Sequence, residues 1–451
     1  MEQPIPLSRG EAYRTQLLDD CIPFWMKHGL DTTYGGFMTG LDRTGKIIES
    51  DKSVWFQGRA GWTMANAYLA GGRKDAALLQ AAESCITFSD RHCFDSDGRM
   101  LFRVTRDGRK LIKRRYSFSE FFSVIARSSL AIAKNDPALL DDAYRLFRST
   151  LNYLRDPNRG NPKVDPATRS SLGLAQPMIE INVAQELREA FLILGSDTSE
   201  EIEFCTRLIR ENISIIQTNF VRPEFEAVVE QCNADGSLQD EHFEGRLINP
   251  GHSIEAAWFI LREADYLKSG HGGMHFAPAS PGSGAQGTDQ AADTATDKGA
   301  AGRAETKPKD SSPPQADMLI ELGVRILNWM WNIGWDEKHG GLCYFADLHG
   351  HPPFEYWHNM KFWWPHNEAS IALLYAFLLT GDPLHAQRFH MLDSWIDTRF
   401  PDREHGEWFG YLNFDGSIST DLKGNMFKGP FHIPRMQMWG WNLIRRLHHT
   451  E

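Results

Sequence analysis

The chain has 451 residues, 41% of them apolar and 24% charged, the balance of a globular protein with material for a sizeable core. A net charge of −11 without a long basic block argues against nucleic acid or an anionic membrane as partner, and no apolar run approaches the roughly 20 residues that cross a bilayer. The N-terminal stretch lacks a basic-then-apolar signal, so the cytoplasm is the expected location; six cysteines without CxxC spacing signal neither a zinc site nor a disulfide framework.

Helical periodicity predicts twelve helices, over 10–28, 55–71, 74–91, 117–134, 137–154, 175–195, 198–217, 251–268, 316–333, 362–380, 383–398 and 430–448. Links after even-numbered helices are short and turn-like (GGRKD, NDPA, GSDTSE, GDP); those after odd-numbered helices are long. DTTYGGFMTGLDRTG at 31–45, DEKHGGLCYFADLHG at 336–350 and DREHGEWFGYLNFDG at 402–416 share one pattern, with FDSDGRMLFRVTRDG at 94–108 a looser copy. Each starts at Asp, turns at Gly, alternates aromatic and aliphatic residues and ends at a second Gly turn, which predicts a small hairpin. Such self-similarity marks a repeat architecture. The expected fold is all-α, an (α/α)6 barrel of six helical hairpins with small β-hairpin loops on one face; an open solenoid is the alternative. Residues 1–451 form one domain in this reading. Within it, 269–315 is a low-complexity insertion, rich in Gly, Ala, Ser, Thr, Pro and Asp, expected to be disordered and to leave from the face opposite the long loops.

The polar residues that can do chemistry recur where even-numbered helices begin. These are Arg59 in WFQGR, Tyr116 and Glu120 in YSFSE, Asn182 in PMIEIN, His252 and Glu255 in NPGHSIE, Trp364 and Glu368 in KFWWPHNE, and His432 and Arg435 in FHIPR. If the even helices form the inner ring, these side chains enter one cup from six directions, and the helix N-termini add positive potential there. Alone, each has a bland reading as cap, ion pair or packing residue; His366 and Trp363 stand between the two readings, and His358 and His405 are read as loop residues. No P-loop, dinucleotide fingerprint, His-Glu-x-x-His motif or nucleophile motif is present, so no metal or organic cofactor is expected. Two His, one Arg and supporting carboxylates suit proton transfer at carbon: one imidazole removes a proton beside a sugar aldehyde, Arg59 steadies the enediolate, and the second imidazole protonates the opposite face. Glu255 and Glu368 would orient the imidazoles.

YGGFMTGLDRTGK, DKSVWFQGRAGW, PMIEINVAQEL, NPGHSIEAAWFIL, KFWWPHNEASIALL and FKGPFHIPR, spread from residue 34 to 435, resemble the N-acylglucosamine 2-epimerase family. The resemblance implies an (α/α)6 barrel, usually dimeric, that epimerises aldoses at C2 without a metal. It implies catalytic roles for His252, His432 and Arg59 with supporting acids Glu255 and Glu368, and a family match at Asn182; with Asn182, the helix-start residues Tyr116, Trp364 and Arg435 are the candidate substrate-binding positions. Related cellobiose 2-epimerases and mannose isomerases carry a further His on the sixth helix. INVAQELREA has none, which favours interconversion of N-acetyl-D-glucosamine and N-acetyl-D-mannosamine. The same resemblance implies ATP as an effector that is not consumed. The rival readings are an epimerase or aldose–ketose isomerase for unmodified sugars, a glycoside hydrolase needing two flanking carboxylates, and a non-catalytic binding protein.

Overall fold

Burial separates the helices into two rings. The computed structural model describes residues 4–113, 117–156, 165, 167–195, 198–270, 273–274 and 315–449. Helix α1 runs through Leu7–Gln16, a π-helical turn at Leu17–Cys21, and Ile22–His28. Then follow α2 (Val54–Ala70), α3 (Ala76–His92), α4 (Phe118–Lys134), α5 (Pro137–Arg155), α6 (Ala175–Leu194) and α7 (Ser199–Asn219). The second half holds α8 (Pro250–Ser269), α9 (Gln315–Gly334), α10 (Trp363–Thr380), α11 (Pro383–Arg399) and α12 (His432–His449). Every helix lies within a few residues of its predicted span. Even-numbered helices lack a polar face: α10 is buried without a break from Trp363 to Phe377. Odd-numbered helices bury one stripe, as α5 does with Leu140, Ala143, Phe147 and Leu151.

Around the inner ring, α2 packs on α4, α4 on α6, α6 on α8, α8 on α10, α10 on α12, and α12 returns to α2. The ring is therefore closed, not a solenoid. Each of α3, α5, α7, α9 and α11 covers the even helix before it, and α1 covers α12. The sixth hairpin thus joins helices far apart in sequence. Gly440 permits their close approach, since a Cβ there would meet the Tyr13 ring at 2.7 Å. The short links work as stop–start signals: Asn135 ends α4 in the left-handed conformation, and the Asp136 carboxylate caps α5 by accepting from Leu139 N–H. The predicted insertion falls between α8 and α9, and its residues 271–272 and 275–314 lie outside the described residues.

The long loops meet as short antiparallel sheets. Lys52–Ser53 pairs with Arg103–Val104, which pairs with Lys110–Ile112; Lys361–Phe362, Tyr411–Leu412 and Ile418–Thr420 repeat the arrangement. The loop at 31–45 forms its hairpin between Gly40–Leu41 and Ile47–Glu49. The loop at 336–350 departs from the expected local hairpin: its Ala346–Asp347 pairs with Leu247–Ile248 of the preceding loop. A backbone entering an inner helix needs hydrogen-bond partners, and here the neighbouring loop supplies them.

Three of these loops share a buried clasp. Asp31, Asp336 and Asp402 each accept from the N–H two residues onward, at Thr33, Lys338 and Glu404. The same carboxylates hold buried Lys52, Lys361 and Lys423 at 2.8, 3.0 and 3.0 Å. Lys52 and Lys361 precede α2 and α10, and Lys423 lies on the approach to α12, so each clasp fixes where an inner helix begins.

His366 on α10 proves to be a packing residue. Its ring stacks on Trp395 at 4.8 Å, Nδ1–H donates to Phe362 C=O at 2.6 Å, and Nε2 accepts from Leu342 N–H at 2.9 Å. Both nitrogens are engaged as a neutral imidazole, and burial drives the pKa down to about 3. An unfolded His titrates near 6.5, so the unfolded chain takes up the proton first. This contribution to stability is complete above about pH 6.5 and is lost progressively as the pH falls toward 3. His366→Ala should cost about 2–4 kcal/mol at neutral pH and flatten the acid dependence. Urea midpoints measured from pH 7 to 4 check this; equal pH slopes in the two proteins would contradict it.

Candidate active site

His432 is the first residue of α12, and its Nδ1 lies 2.8 Å from Glu368 Oε1 on α10. A carboxylate only accepts, so the proton sits on Nδ1 and Nε2 carries the lone pair. The other oxygen of Glu368 accepts from Trp258 Nε1–H at 2.8 Å. One turn along α12, the Arg435 guanidinium lies 2.6 Å from Glu368 Oε1 and also pairs with Glu255 of α8. Three inner helices are thereby tied at one point. Burial, then the cations of Arg435 and Arg59, hold His432 well below the usual histidine pKa, so it is a neutral imidazole at physiological pH.

His252 stands in the first turn of α8, where Asn249 caps the helix by accepting from His252 N–H. Its Nδ1 lies 3.1 and 3.0 Å from the two oxygens of Glu230. Burial disfavours the imidazolium, but Glu230 more than offsets this and raises the pKa. The Glu230 backbone is stitched on both sides: its N–H donates to Leu247 C=O, and its C=O accepts from Leu174 N–H beside the start of α6.

Trp364 lies against both imidazoles, with ring centroids 5.0 Å from His252 and 5.8 Å from His432. Gly251 makes room for this indole, since a Cβ there would meet it at 2.6 Å. Tyr344 packs edge-on to Trp364. Arg59 of α2 donates to Phe427 C=O at 3.1 Å, and its guanidinium lies 4.2 Å from the centre of the Phe122 ring. Burial lowers its pKa to about 10, with Glu255 opposing, so it remains a cation at neutral pH.

His252, Glu255, Trp364, Glu368, His432 and Arg435 therefore lie together, and Arg59 is within electrostatic reach of Glu255, Arg435 and Glu368. Asn182 is buried on α6, one turn from Glu186, whose carboxylate accepts from Trp62 of α2 and Arg262 of α8. Tyr116 lies outside the described residues. Glu120 serves the fold: it accepts from Arg99 at 2.6 Å and from Met100 N–H at 3.0 Å. Glu255, Glu368 and His432 present ligand-type atoms within 4.8 Å of one another. Arg435 already provides the positive charge there and occupies both carboxylates, so the trio does not fit a metal ion. Sequence reasoning missed Glu230 and Tyr344. Glu230 lies between the strands Ala227–Val228 and Gln231–Asn233, and nothing local separates it from Glu224 and Glu226 nearby.

A family model described as N-acylglucosamine 2-epimerase (GlcNAc 2-epimerase) matches residues 35–273 and 309–431. An N-acylglucosamine 2-epimerase from Bos taurus is 32% identical over 423 residues, covering 93% of this chain and 87% of that protein. Its Homo sapiens counterpart is 30% identical over 425 residues, covering 93% and 86%. Among solved structures, a sugar epimerase from a ruminal bacterium aligns over 97% of this chain and 99% of its own, with a TM-score of 0.73 and 20% identity.

Glu368→Gln keeps the size of the side chain but removes the charge that fixes the His432 tautomer. Epimerase kcat should fall about 10²-fold or more while the circular dichroism stays unchanged. A kcat within about twofold of the parent would remove Glu368 from this role.

Proposed function

The chain belongs to the N-acylglucosamine 2-epimerase family, and for this sugar epimerase we propose inversion at C2 between N-acetyl-D-glucosamine and N-acetyl-D-mannosamine by two histidines. The observation that carries the reading is a matched pair: two imidazoles border one indole, each with Nδ1 turned to a glutamate and Nε2 left for chemistry.

The ring-opened sugar lies along Trp364 with C2 between the two Nε2 atoms. One imidazole takes the C2 proton. The C–H electron pair becomes the C1=C2 bond, and the negative charge passes to O1, giving an enolate, or an enediolate for a sugar with a hydroxyl at C2. Arg59 and the N-termini of the inner helices stabilise that oxyanion. The other histidine, as imidazolium, delivers its proton to the opposite face of C2. Side chains account for each proton movement, so the proposal calls for no metal or organic cofactor. ATP as an effector and a homodimer follow from the resemblance alone, a cytoplasmic location is an expectation from the N-terminal sequence, and none of them enters a step. The N-acyl preference is supported by the absence of histidine from α6.

In deuterated water the product should carry deuterium at C2 while recovered substrate stays largely unlabelled. Product free of deuterium would defeat proton abstraction, and equal labelling of both pools would point to a single base. His432→Asn should lower kcat by about 10³-fold or more with the fold retained; unchanged turnover would refute its role. Chromatography of reactions on mannose, glucose and N-acetylmannosamine reads the substrate, and turnover confined to the unmodified sugars would overturn the N-acyl assignment.

A further inference from the structure

The two histidine–glutamate pairs are alike in geometry and unlike in charge. Glu368 faces His432 Nδ1 but also lies 2.6 Å from the Arg435 guanidinium, so its charge is largely answered before the imidazole draws on it. Glu230 faces His252 Nδ1 with both oxygens, and among the described residues it has no ion-pair partner other than His252. The wider surroundings deepen the contrast. His252 meets Glu230 from the preceding loop and Glu255 from its own helix, with Asn249 below it, Trp364 of α10 across from it and His432 of α12 beyond. His432 meets Glu368 of α10 and Glu255 of α8, but also Arg435 of its own helix, Arg59 of α2 and His252. His252 thus faces one carboxylate, Glu230, that no guanidinium answers, besides Glu255, which Arg435 holds; both carboxylates facing His432 are answered by Arg435. Access differs in the same sense: the His252 side chain is 30% exposed and that of His432 is 9% exposed.

We infer that Glu230 is a positioning residue that keeps the shared proton on His252, so that the resting protein meets its substrate with His432 as base and His252 as acid. The inference rests on the two-histidine reading and adds a direction to it. The directions of the two histidine shifts, up for His252 and down for His432, agree with this arrangement. An epimer whose C2 hydrogen points toward His432 is met by protein already in the right protonation state. After the C2 proton has passed to His432 and the His252 proton to carbon, the pair must return to its resting form. His252, the more exposed ring, regains its proton from water, and His432 releases the one it took. The opposite epimer reacts through the minor arrangement, with the proton on His432.

The test is Glu230→Gln in the full chain, following kcat/KM against pH together with the deuterium experiment. Activity requires one proton on the pair, and loss of that proton sets the alkaline limb. Without the Glu230 charge the limb should move about one unit toward lower pH, with kcat above neutrality reduced about tenfold and KM within about twofold of the parent. Glu230→Asp should restore part of the shift. A purely structural role would lower activity evenly without moving the limb, and that outcome overturns the inference. A limb that stays in place while deuterium still enters the product at C2 refutes only the role of Glu230; absence of deuterium refutes the underlying mechanism. If Glu230→Gln does not fold, imidazole resonances of the parent protein decide the matter. His252, identified by its loss in His252→Asn, should be charged at about pH 7 and His432 neutral; the reverse order ends the proposal.

Discussion

One guanidinium organises the centre of this molecule. Arg435 lies between carboxylates of two neighbouring helices, with its own helix as the third member of the junction. A buried cation of this kind is costly without partners, and buried carboxylates are costly without it, so the three helices keep their relative register. The same charge does chemical service. By answering Glu368 it leaves His432 an uncharged imidazole in a site where an unanswered carboxylate would have favoured the protonated form. Position and reactivity at this site therefore have a common origin, and neither can be altered alone.

That junction is only as well placed as the helix starts that feed it. The Asp–Lys clasps do this work outside the ring, where each lysine locks the segment leading toward α2, α10 or α12 to the turn of a long loop. The loop around 94–108 lacks the buried lysine, and its Asp95 meets the exposed Lys110 instead. It leads toward α4, whose opening Glu120 binds a loop arginine and takes no part in the constellation. Clasped approaches bring Arg59, Trp364, Glu368 and His432 to the site; the loop around 94–108 brings none of it, and α8 delivers His252 and Glu255 without such a clasp.

Much of this was legible in the sequence because the repeat writes the same signals several times over. Helix periods, Asn-Asp-Pro and Gly-Asp-Pro links and glycine-rich loops place the twelve helices closely, and the alternation of loop lengths tells inner from outer. His252, Glu255, Glu368 and His432 could be found because they occupy equivalent places in the repeat. Glu230 could not, for it belongs to an irregular stretch whose meaning appears only once its backbone is bonded to Leu247 and Leu174. The pairing of Ala346–Asp347 with a neighbouring loop was hidden for the same reason: two-residue strands leave no periodic trace, and their partners are chosen in space. His366 was ambiguous because a histidine with both nitrogens engaged looks, in sequence, like one that is free to react.

The covering of α12 by α1 has a consequence for how the protein is made. During synthesis the first helix emerges from the ribosome early and must wait for the last before its apolar side finds a mate. Throughout that interval the nascent barrel is a horseshoe with a bare hydrophobic seam, and one of the two imidazoles has not yet been translated. Ring sealing and completion of the proposed two-histidine site are thus a single late event, so a stalled or clipped chain lacks both together.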